Sequence, residues 1–226
     1  MNTKTDSIIK STKPTRFSTE GITYEKTSET TVKVIKNFDN SYHGSIKIPA
    51  TTIYNKTNYI VTEISENAFK GNENINSIII GDNIRSIKAF TFSYCKNLSS
   101  IAIPNTVSSI GESAFSASGL TSFIFPSTVT TIENYLFLGC EKLITIIIPN
   151  TVTTIEEYAF GWCPRLTTLV CNVKSPLRIQ SNVFFGTYIN ACTLEVPIKN
   201  LETYKKTTVW SSFKSIIASK IADTPN

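Results

Sequence analysis

The sequence has little of the chemistry on which most enzymes and metal sites depend. It contains one histidine, His43, and one methionine among 226 residues, and none of its five cysteines forms a Cys-x-x-Cys pair. A Ser-His-Asp or Cys-His site needs its histidine beside a nucleophile, and nothing near His43 supplies one. There is no glycine-rich phosphate loop. We therefore expect no enzymatic activity, no metal site and no cofactor.

Charge and long apolar runs are also scarce. Charged residues make up 17% of the chain, and no apolar run approaches the ~18 residues of a membrane-spanning helix. Residues 1–16 lack the apolar segment of a signal peptide, so the chain is either cytoplasmic or exported with its leader removed. Residues 61–172 carry six Lys/Arg against nine Asp/Glu. A nucleic-acid binder concentrates basic residues on its working surface, so we expect no nucleic-acid partner and no membrane insertion.

The chain is rich in β-branched residues, and these recur with a fixed period. It has 31 Ile and 31 Thr against nine Gly and nine Pro, which favours strands. An Ile-x4-Phe pair returns every 22 to 24 residues. The six pairs are Ile64/Phe69, Ile87/Phe92, Ile110/Phe115, Ile132/Phe137, Ile155/Phe160 and Ile179/Phe184. One coil cannot bury its apolar side alone, whereas stacked coils close a continuous core, so the period predicts a solenoid of about six coils.

Each coil has the same predicted parts. An apolar-x-apolar stretch such as Ile146-Ile-Ile148 alternates with period two, which predicts a short strand with both outer Ile residues facing inward. A Val-Thr-Thr-Ile stretch predicts a second extended segment. A Glu-x-x-Ala-Phe stretch predicts one helical turn with Phe on the core side. Stacking these strands gives parallel sheets.

One unit, Leu98-Ser-Ser-Ile-Ala-Ile-Pro-Asn-Thr-Val-Ser-Ser-Ile-Gly-Glu-Ser-Ala-Phe115, resembles the BspA-like leucine-rich repeats of bacterial and protist surface proteins. The resemblance covers about residues 46–197 and continues into residues 196–213, which are similar to the C-terminal cap of Bacteroidales members. It implies an α/β-type, β-rich, right-handed leucine-rich-repeat stack. It also implies a secreted or surface-anchored binding module, sometimes an adhesin, although this chain shows no leader.

The flanks are expected to cap the ends of the stack, because a bare solenoid end exposes core and sheet edge. Residues 17–60 form the predicted N-terminal cap, with a β-hairpin and an atypical first coil. Residues 61–197 form the solenoid, and residues 198–218 form a helical C-terminal cap with Trp210, Phe213 and Ile216 on one face. Residues 1–16 and 219–226 are predicted to be disordered tails.

Three cysteines share one column, eight residues after the Ile of their coil. They are Cys95, Cys140 and Cys163, and the other coils place Asn72, Ser118 and Thr187 there. A column of equivalent positions does not match zinc-ligand spacing. Two alternatives remain: small buried thiols under the corner of each coil, or a Cys140–Cys163 disulfide between neighbouring coils.

Two surfaces are candidate binding sites. The first, the strand ribbon, is an outward apolar column on the predicted strands and consists of Ile79, Ile124, Ile147 and Val170. Exposed apolar patches often mark interaction sites, but β-propensity alone, a cap or a second subunit covering the column would also explain it. The second, the turn-face aromatics, consists of Phe90, Tyr94, Tyr135, Tyr158 and Trp162. Aromatic residues are frequent binding anchors, although packing between turns would use some of them.

We therefore expect a capped solenoid that binds a host or neighbouring-cell protein or glycan without catalysis, at the cell surface or outside it. The alternative is a structural module that uses the strand ribbon to form a homo-oligomer. The acidic residues Glu133, Glu156 and Glu157 are expected on the exposed side of the turn, where acids near a helix start are common. A glycosidase would need two carboxylates across a pocket.

Overall fold

A computed structural model describes residues 15–37 and 42–219. These residues form a parallel β-solenoid of about seven turns, which confirms the predicted fold class. The predicted tails lie outside the described residues, except for residues 15, 16 and 219. Arg16 belongs to the first strand.

The described residues form seventeen strands, one α-helix and three short 3₁₀ helices. The N-terminal strands are β1 (Arg16–Thr19), β2 (Ile22–Lys26), β3 (Thr31–Val34), β4 (Gly44–Ile48), β5 (Thr51–Tyr54) and β6 (Thr57–Ile64). The strands of the regular coils are β7 (Ile75–Ile80), β8 (Ser86–Ile87), β9 (Ser100–Ala102), β10 (Ser109–Ile110), β11 (Ser122–Ile124), β12 (Thr131–Ile132), β13 (Thr145–Ile148), β14 (Thr154–Ile155), β15 (Thr168–Cys171) and β16 (Thr193–Val196). The remaining elements are β17 (Ser215–Ala218), the helix α1 (Leu201–Lys206) and the 3₁₀ helices Ile189–Ala191, Ile198–Asn200 and Trp210–Ser212.

The strands line two sides of the stack. On the first side, β4-β7-β9 form a three-stranded sheet and β11-β13-β15-β16-β17 form a five-stranded sheet. On the second side, β3-β6-β8-β10 continue the sheet that begins with β1 and β2, and β12 pairs with β14. Neighbouring coils pair in parallel with equivalent residues side by side, as Ile146 and Leu169 do.

A stack of phenylalanine rings runs through the core. Successive rings lie 5.2–5.9 Å apart and within 7–19° of parallel. The column consists of Phe69, Phe92, Phe115, Phe137, Phe160 and Phe184. Burying one such ring contributes about 1.5–3 kcal/mol, so the column contributes substantially to holding neighbouring coils together.

Both ends of the column are covered by the caps. Tyr42 packs on Phe69 at the N-terminal end with a centroid distance of 4.7 Å, and Trp210 and Phe213 contact Phe184 edge-on at the other end. The N-terminal cap contains the expected hairpin, since β2 and β3 are antiparallel. The helical part of the C-terminal cap is small. Ile216 does not share a helix face with Trp210, because it lies in β17 and pairs with β16.

Both sheets are interrupted in the coil that begins at Ile110. In this coil β10 pairs with β8 of the preceding coil, whereas β11 pairs with β13 of the following coil. The coil is one residue shorter than its neighbours. At its corner the chain lies close to the coil before it, and a Cβ on Gly119 would overlap the carbonyl oxygen of Lys96.

Candidate functional site

The strand ribbon is not continuous along the stack. Ile79 and Ile124 are 54% and 66% exposed, but Ile147 is half-buried. Ala102 occupies the position paired with Ile79. Two strongly exposed isoleucines are thus separated by a coil that offers only a methyl group.

Val170 does not belong to the exposed ribbon, contrary to the sequence prediction. It is 5% exposed, although it is not part of the main core cluster. The register places it between Ile147 and Glu195 on the neighbouring strands. Strands lie about 4.8 Å apart in a sheet, so these two longer side chains stand directly beside the shorter valine on the same face.

The Glu-x-x-Ala-Phe segments on the turn face are not helical turns, contrary to the sequence prediction. Alternate backbone N–H groups in each segment donate to the next coil, as Phe90, Phe92 and Tyr94 do to the carbonyls of Glu112, Ala114 and Ser116 at 2.8–2.9 Å. A helix would use these groups within itself. The segments therefore form a third ladder between coils, beside the two strand ladders.

The turns have left-handed backbone positions in two columns. The first column has φ of 54–57° and is filled by Asn67, Phe90, Ser113, Tyr135 and Tyr158. The second lies four residues later and is filled by Gly71, Tyr94, Ala117, Gly139, Trp162 and Gly186. All five turn-face aromatics occupy these two columns. A bulky residue with positive φ is a conformational outlier.

The C-terminal half of the turn face carries a contiguous group of rings. Tyr135 and Tyr158 stack with centroids 5.4 Å apart and planes 11° apart, and Phe185 contacts the edges of Tyr158 and Trp162 at 5.9 and 5.8 Å. Trp162 is 57% exposed even though its indole covers Gly186, where a Cβ would come within 2.6 Å of the ring. The structure thus brings together the three sequence-predicted aromatics Tyr135, Tyr158 and Trp162.

The sequence analysis missed Phe185, which is 53% exposed beside Trp162. Its neighbour Phe184 takes the core position of the repeat, so a second phenylalanine directly after it points away from the core. That doubled Phe-Phe was the available signal, since no other coil has an aromatic residue directly after its core phenylalanine.

Four carboxylates accompany these rings. They belong to Glu112, Glu133, Glu156 and Glu157. None of them forms an ion pair within the described part of the chain. Burial, and then the charges of Glu156 and Glu112, raise the pKa of the Glu133 carboxyl. We call these carboxylates together with Tyr135, Tyr158, Trp162 and Phe185 the aromatic–acidic patch.

The cysteine column is structural. All five cysteines are buried thiols. The Sγ atoms of Cys95, Cys140 and Cys163 donate to the carbonyls of Phe69, Phe115 and Phe137 in the preceding coils at 3.1–3.2 Å. Burial raises the pKa of the Cys140 thiol to about 11. These groups link coils by hydrogen bonds, and their low thiolate content makes them poor nucleophiles.

The described residues contain no cluster of three or more His, Cys, Asp or Glu side chains that could hold a metal ion. No helix in that part of the chain is long and apolar enough to span a membrane. His43 lies on the surface at the N-terminal end of the stack, remote in sequence from the aromatic–acidic patch.

Comparison with known proteins identifies the repeat. The family model for the BspA type leucine rich repeat region matches residues 15–143 and 62–190 with six copies. No curated protein matches the sequence.

Solved structures share the fold at low sequence identity. A Treponema pallidum leucine-rich-repeat protein is 21% identical, with a TM-score of 0.59 over 68% of this chain and 70% of its own. A leucine-rich-repeat protein from Bacteroides capillosus is 21% identical, with a TM-score of 0.50 over 70% of this chain and 99% of its own. One from Eubacterium ventriosum is 18% identical, with a TM-score of 0.52 over 88% of this chain and 60% of its own.

Proposed function

Since the chain belongs to the BspA-type leucine-rich-repeat family, we propose that it is a non-catalytic binding module that recognises a protein or a glycan at a cell surface. Repeat proteins of this kind are generally interaction or adhesion scaffolds. The surface or secreted location is part of the proposal and follows from the family. The binding face that we propose is the turn face.

One observation supports the choice of face. The second left-handed column is filled by glycine in three coils, which is the residue that this backbone conformation favours. Two other coils place Tyr94 and Trp162 there, 52% and 57% exposed. Left-handed backbone costs an L-residue about 1–2 kcal/mol. Trp162 offsets part of this cost by covering Gly186 and contacting Phe185, whereas no ring contact offsets it for Tyr94 among the described residues. Strained residues that persist without a packing reason point to function.

Surface-displayed and soluble forms of the protein test the proposal. We expect the labelled protein to bind glycan or extracellular-protein arrays without converting the bound molecule. We also expect Tyr158→Ala with Trp162→Ala to lose that binding. Ile79→Ser with Ile124→Ser, on the strand face, is the matched control and should bind normally. Loss of binding in the control pair alone would assign function to the strand face.

The exposed isoleucines support a second candidate function, self-association. Ile79 and Ile124 present apolar surface that an identical subunit could cover. Sedimentation velocity over a range of concentrations tests it. A dimer that is lost in Ile124→Glu with Ile147→Glu, while the circular dichroism spectrum stays unchanged, would support this structural role.

A further inference from the structure

The turn face already contains one cation–aromatic contact. The ammonium of Lys70 lies 4.8 Å from the centroid of the Phe90 ring in the next coil. Phe90 occupies the first left-handed column, and the coil before it has the small Asn67 in that column. A cation placed over an aromatic face in this way is attracted by the ring quadrupole. The coil geometry therefore makes a slot between a small residue and a ring, and Lys70 fills it.

The same pair of a small residue and a ring recurs at Tyr135 without a lysine, with its small residue Ser113 buried; we call this position the Tyr135 slot. Tyr135 is equivalent to Phe90, and the coil before it again has a small residue, Ser113, in the first left-handed column. The residue equivalent to Lys70 is Ser116. Tyr158 stacks on one face of Tyr135. Among the residues that the structure describes, neither a ring nor a cation contacts the opposite face.

The charges around the Tyr135 slot favour a cation. Glu112 directly precedes Ser113, and Glu133 lies two residues before Tyr135. The Tyr135 amide donates to the carbonyl of Glu157 at 3.0 Å, so that residue is adjacent as well. Between residues 97 and 164 the chain has five acidic residues and one basic residue, Lys142. The ammonium of Lys142 donates to the carbonyl of Lys96.

We propose that the aromatic–acidic patch binds a basic polypeptide segment, with a lysine or arginine of the partner over Tyr135 between Glu112 and Glu133. The Tyr135 ring supplies the cation–aromatic attraction, and the two carboxylates neutralise the incoming charge. Tyr158, Phe185 and Trp162 extend the surface along the stack and can contact apolar parts of the same segment. This inference rests on the proposed binding function and specifies its partner.

Fluorescence anisotropy with a labelled peptide of alternating lysine and serine tests the proposal, and the same peptide with acetyl-lysine removes its charge. We expect the lysine peptide to bind, the acetylated peptide to bind weakly or not at all, and salt to weaken the complex. Tyr135→Leu keeps an apolar side chain but removes the ring, so it should weaken binding about 2–5-fold. Glu112→Gln with Glu133→Gln should weaken it at least about 2-fold.

The repeat provides matched controls for both substitutions. Glu66→Gln changes the acid equivalent to Glu112, in a coil whose neighbouring turn position is Asn67 rather than a ring. Phe90→Leu removes a ring whose slot Lys70 already fills. Both variants should bind the lysine peptide as the parent protein does.

Three results would overturn the proposal. Equal binding of the lysine and acetyl-lysine peptides would exclude recognition of charge, and equal losses in the control variants would show diffuse electrostatic attraction. Array binding that needs Trp162 but not Glu112, Glu133 or low salt would point to a neutral glycan. That result would leave the proposed function intact. A concentration-dependent dimer abolished by Tyr135→Leu would make a second copy of the chain the occupant.

Discussion

At Tyr94 the backbone carries a large side chain where three of its repeat equivalents are glycine. The φ of Tyr94 is 60°, while Gly71, Gly139 and Gly186 take the same position at 72–73°. The structure therefore contains its own comparison between a strained and an unstrained residue in one backbone environment.

We expect Tyr94→Gly to be more stable than Tyr94→Ala by about 0.5–1 kcal/mol. Relief of left-handed strain outweighs the larger entropy that glycine gives the unfolded chain. Urea denaturation of the two variants measures the difference. Ala102→Gly, on an exposed strand position, should show the opposite sign, because glycine in a strand costs about 0.5–1 kcal/mol. The same sign at both positions would contradict a left-handed turn at Tyr94.

Glu133 gives a pH-dependent prediction. Its folded-state pKa is raised, chiefly by burial and then by Glu156 and Glu112. The folded protein therefore holds this proton to higher pH than the unfolded chain, and ionisation of Glu133 opposes folding. The stability cost is absent below the unfolded-state pKa, grows as the pH rises through the folded-state pKa, and is complete above it.

Glu133→Gln should consequently raise the thermal unfolding midpoint at neutral pH and lose that advantage in acid. Midpoints of the parent and variant measured across this range test the sign. Glu66→Gln changes an exposed acid, so it serves as the control and should shift the midpoint little. A Glu133→Gln variant that is less stable at neutral pH would mean that the carboxylate has a favourable partner.

Among the elements, the phenylalanine column has the clearest energetic role. Phe137 is fully buried between Phe115 and Phe160. Phe137→Ala should cost about 3–5 kcal/mol, because it removes apolar burial and leaves a cavity that stacked coils cannot easily close. Thr130 is exposed, and Thr130→Ala should stay within about 0.5 kcal/mol. Comparable losses in urea melts would contradict the inward and outward assignment.

The elements also show where sequence reasoning succeeds and where it stops. The repeat period predicts inward residues such as Phe137 and Ile146, because equivalent positions face the same side of the stack in every coil. It does not distinguish a helical turn from the left-handed turn at Tyr158. Apolar spacing is the same in both, and the deciding hydrogen bonds run to another coil. The three-residue spacing of Trp210, Phe213 and Ile216 also fits a helix, but the hydrogen bonds of Ile216 run to β16 instead.

The candidate site was predictable only in part. The sequence identifies Tyr135, Tyr158 and Trp162 as outward residues of the turns. It does not show that Val170 is buried between longer neighbours, nor that Lys70 lies over the Phe90 ring of the next coil. Both facts depend on contacts between coils, which a period along the chain does not specify.

On the scale of the whole molecule, the shortened coil divides the solenoid into two paired blocks. Strands β1 to β10 and strands β11 to β17 share no ladder across this coil. The blocks are joined by the turn ladder, in which Ser113 and Phe115 donate to Asn134 and Leu136. Phe123 also packs against Phe115 and Phe137 at 5.0 and 4.8 Å. In a repeat protein, stability is approximately the sum of the intrinsic stabilities of the repeats and of such nearest-neighbour interfaces.

Gly119 is the residue on which this junction depends most directly. A methyl group there would overlap the Lys96 carbonyl oxygen, so Gly119→Ala must push the two coils apart. The same oxygen accepts a hydrogen bond from Lys142. We expect a loss of about 1–3 kcal/mol from overpacking and a broader urea transition, because the weakened interface lets one block unfold before the other.

Hydrogen exchange of the Gly119→Ala variant tests the same junction. The amides of Gly119 and Thr121 donate to the carbonyls of Cys95 and Ser99 across it. In the variant, the amides at these two positions should lose protection before those inside either sheet. Ser122→Ala, exposed in the same coil, should leave both the transition and the exchange pattern unchanged. A Gly119→Ala variant that unfolds like the parent protein would show that the shortened corner does not set the approach of the two blocks.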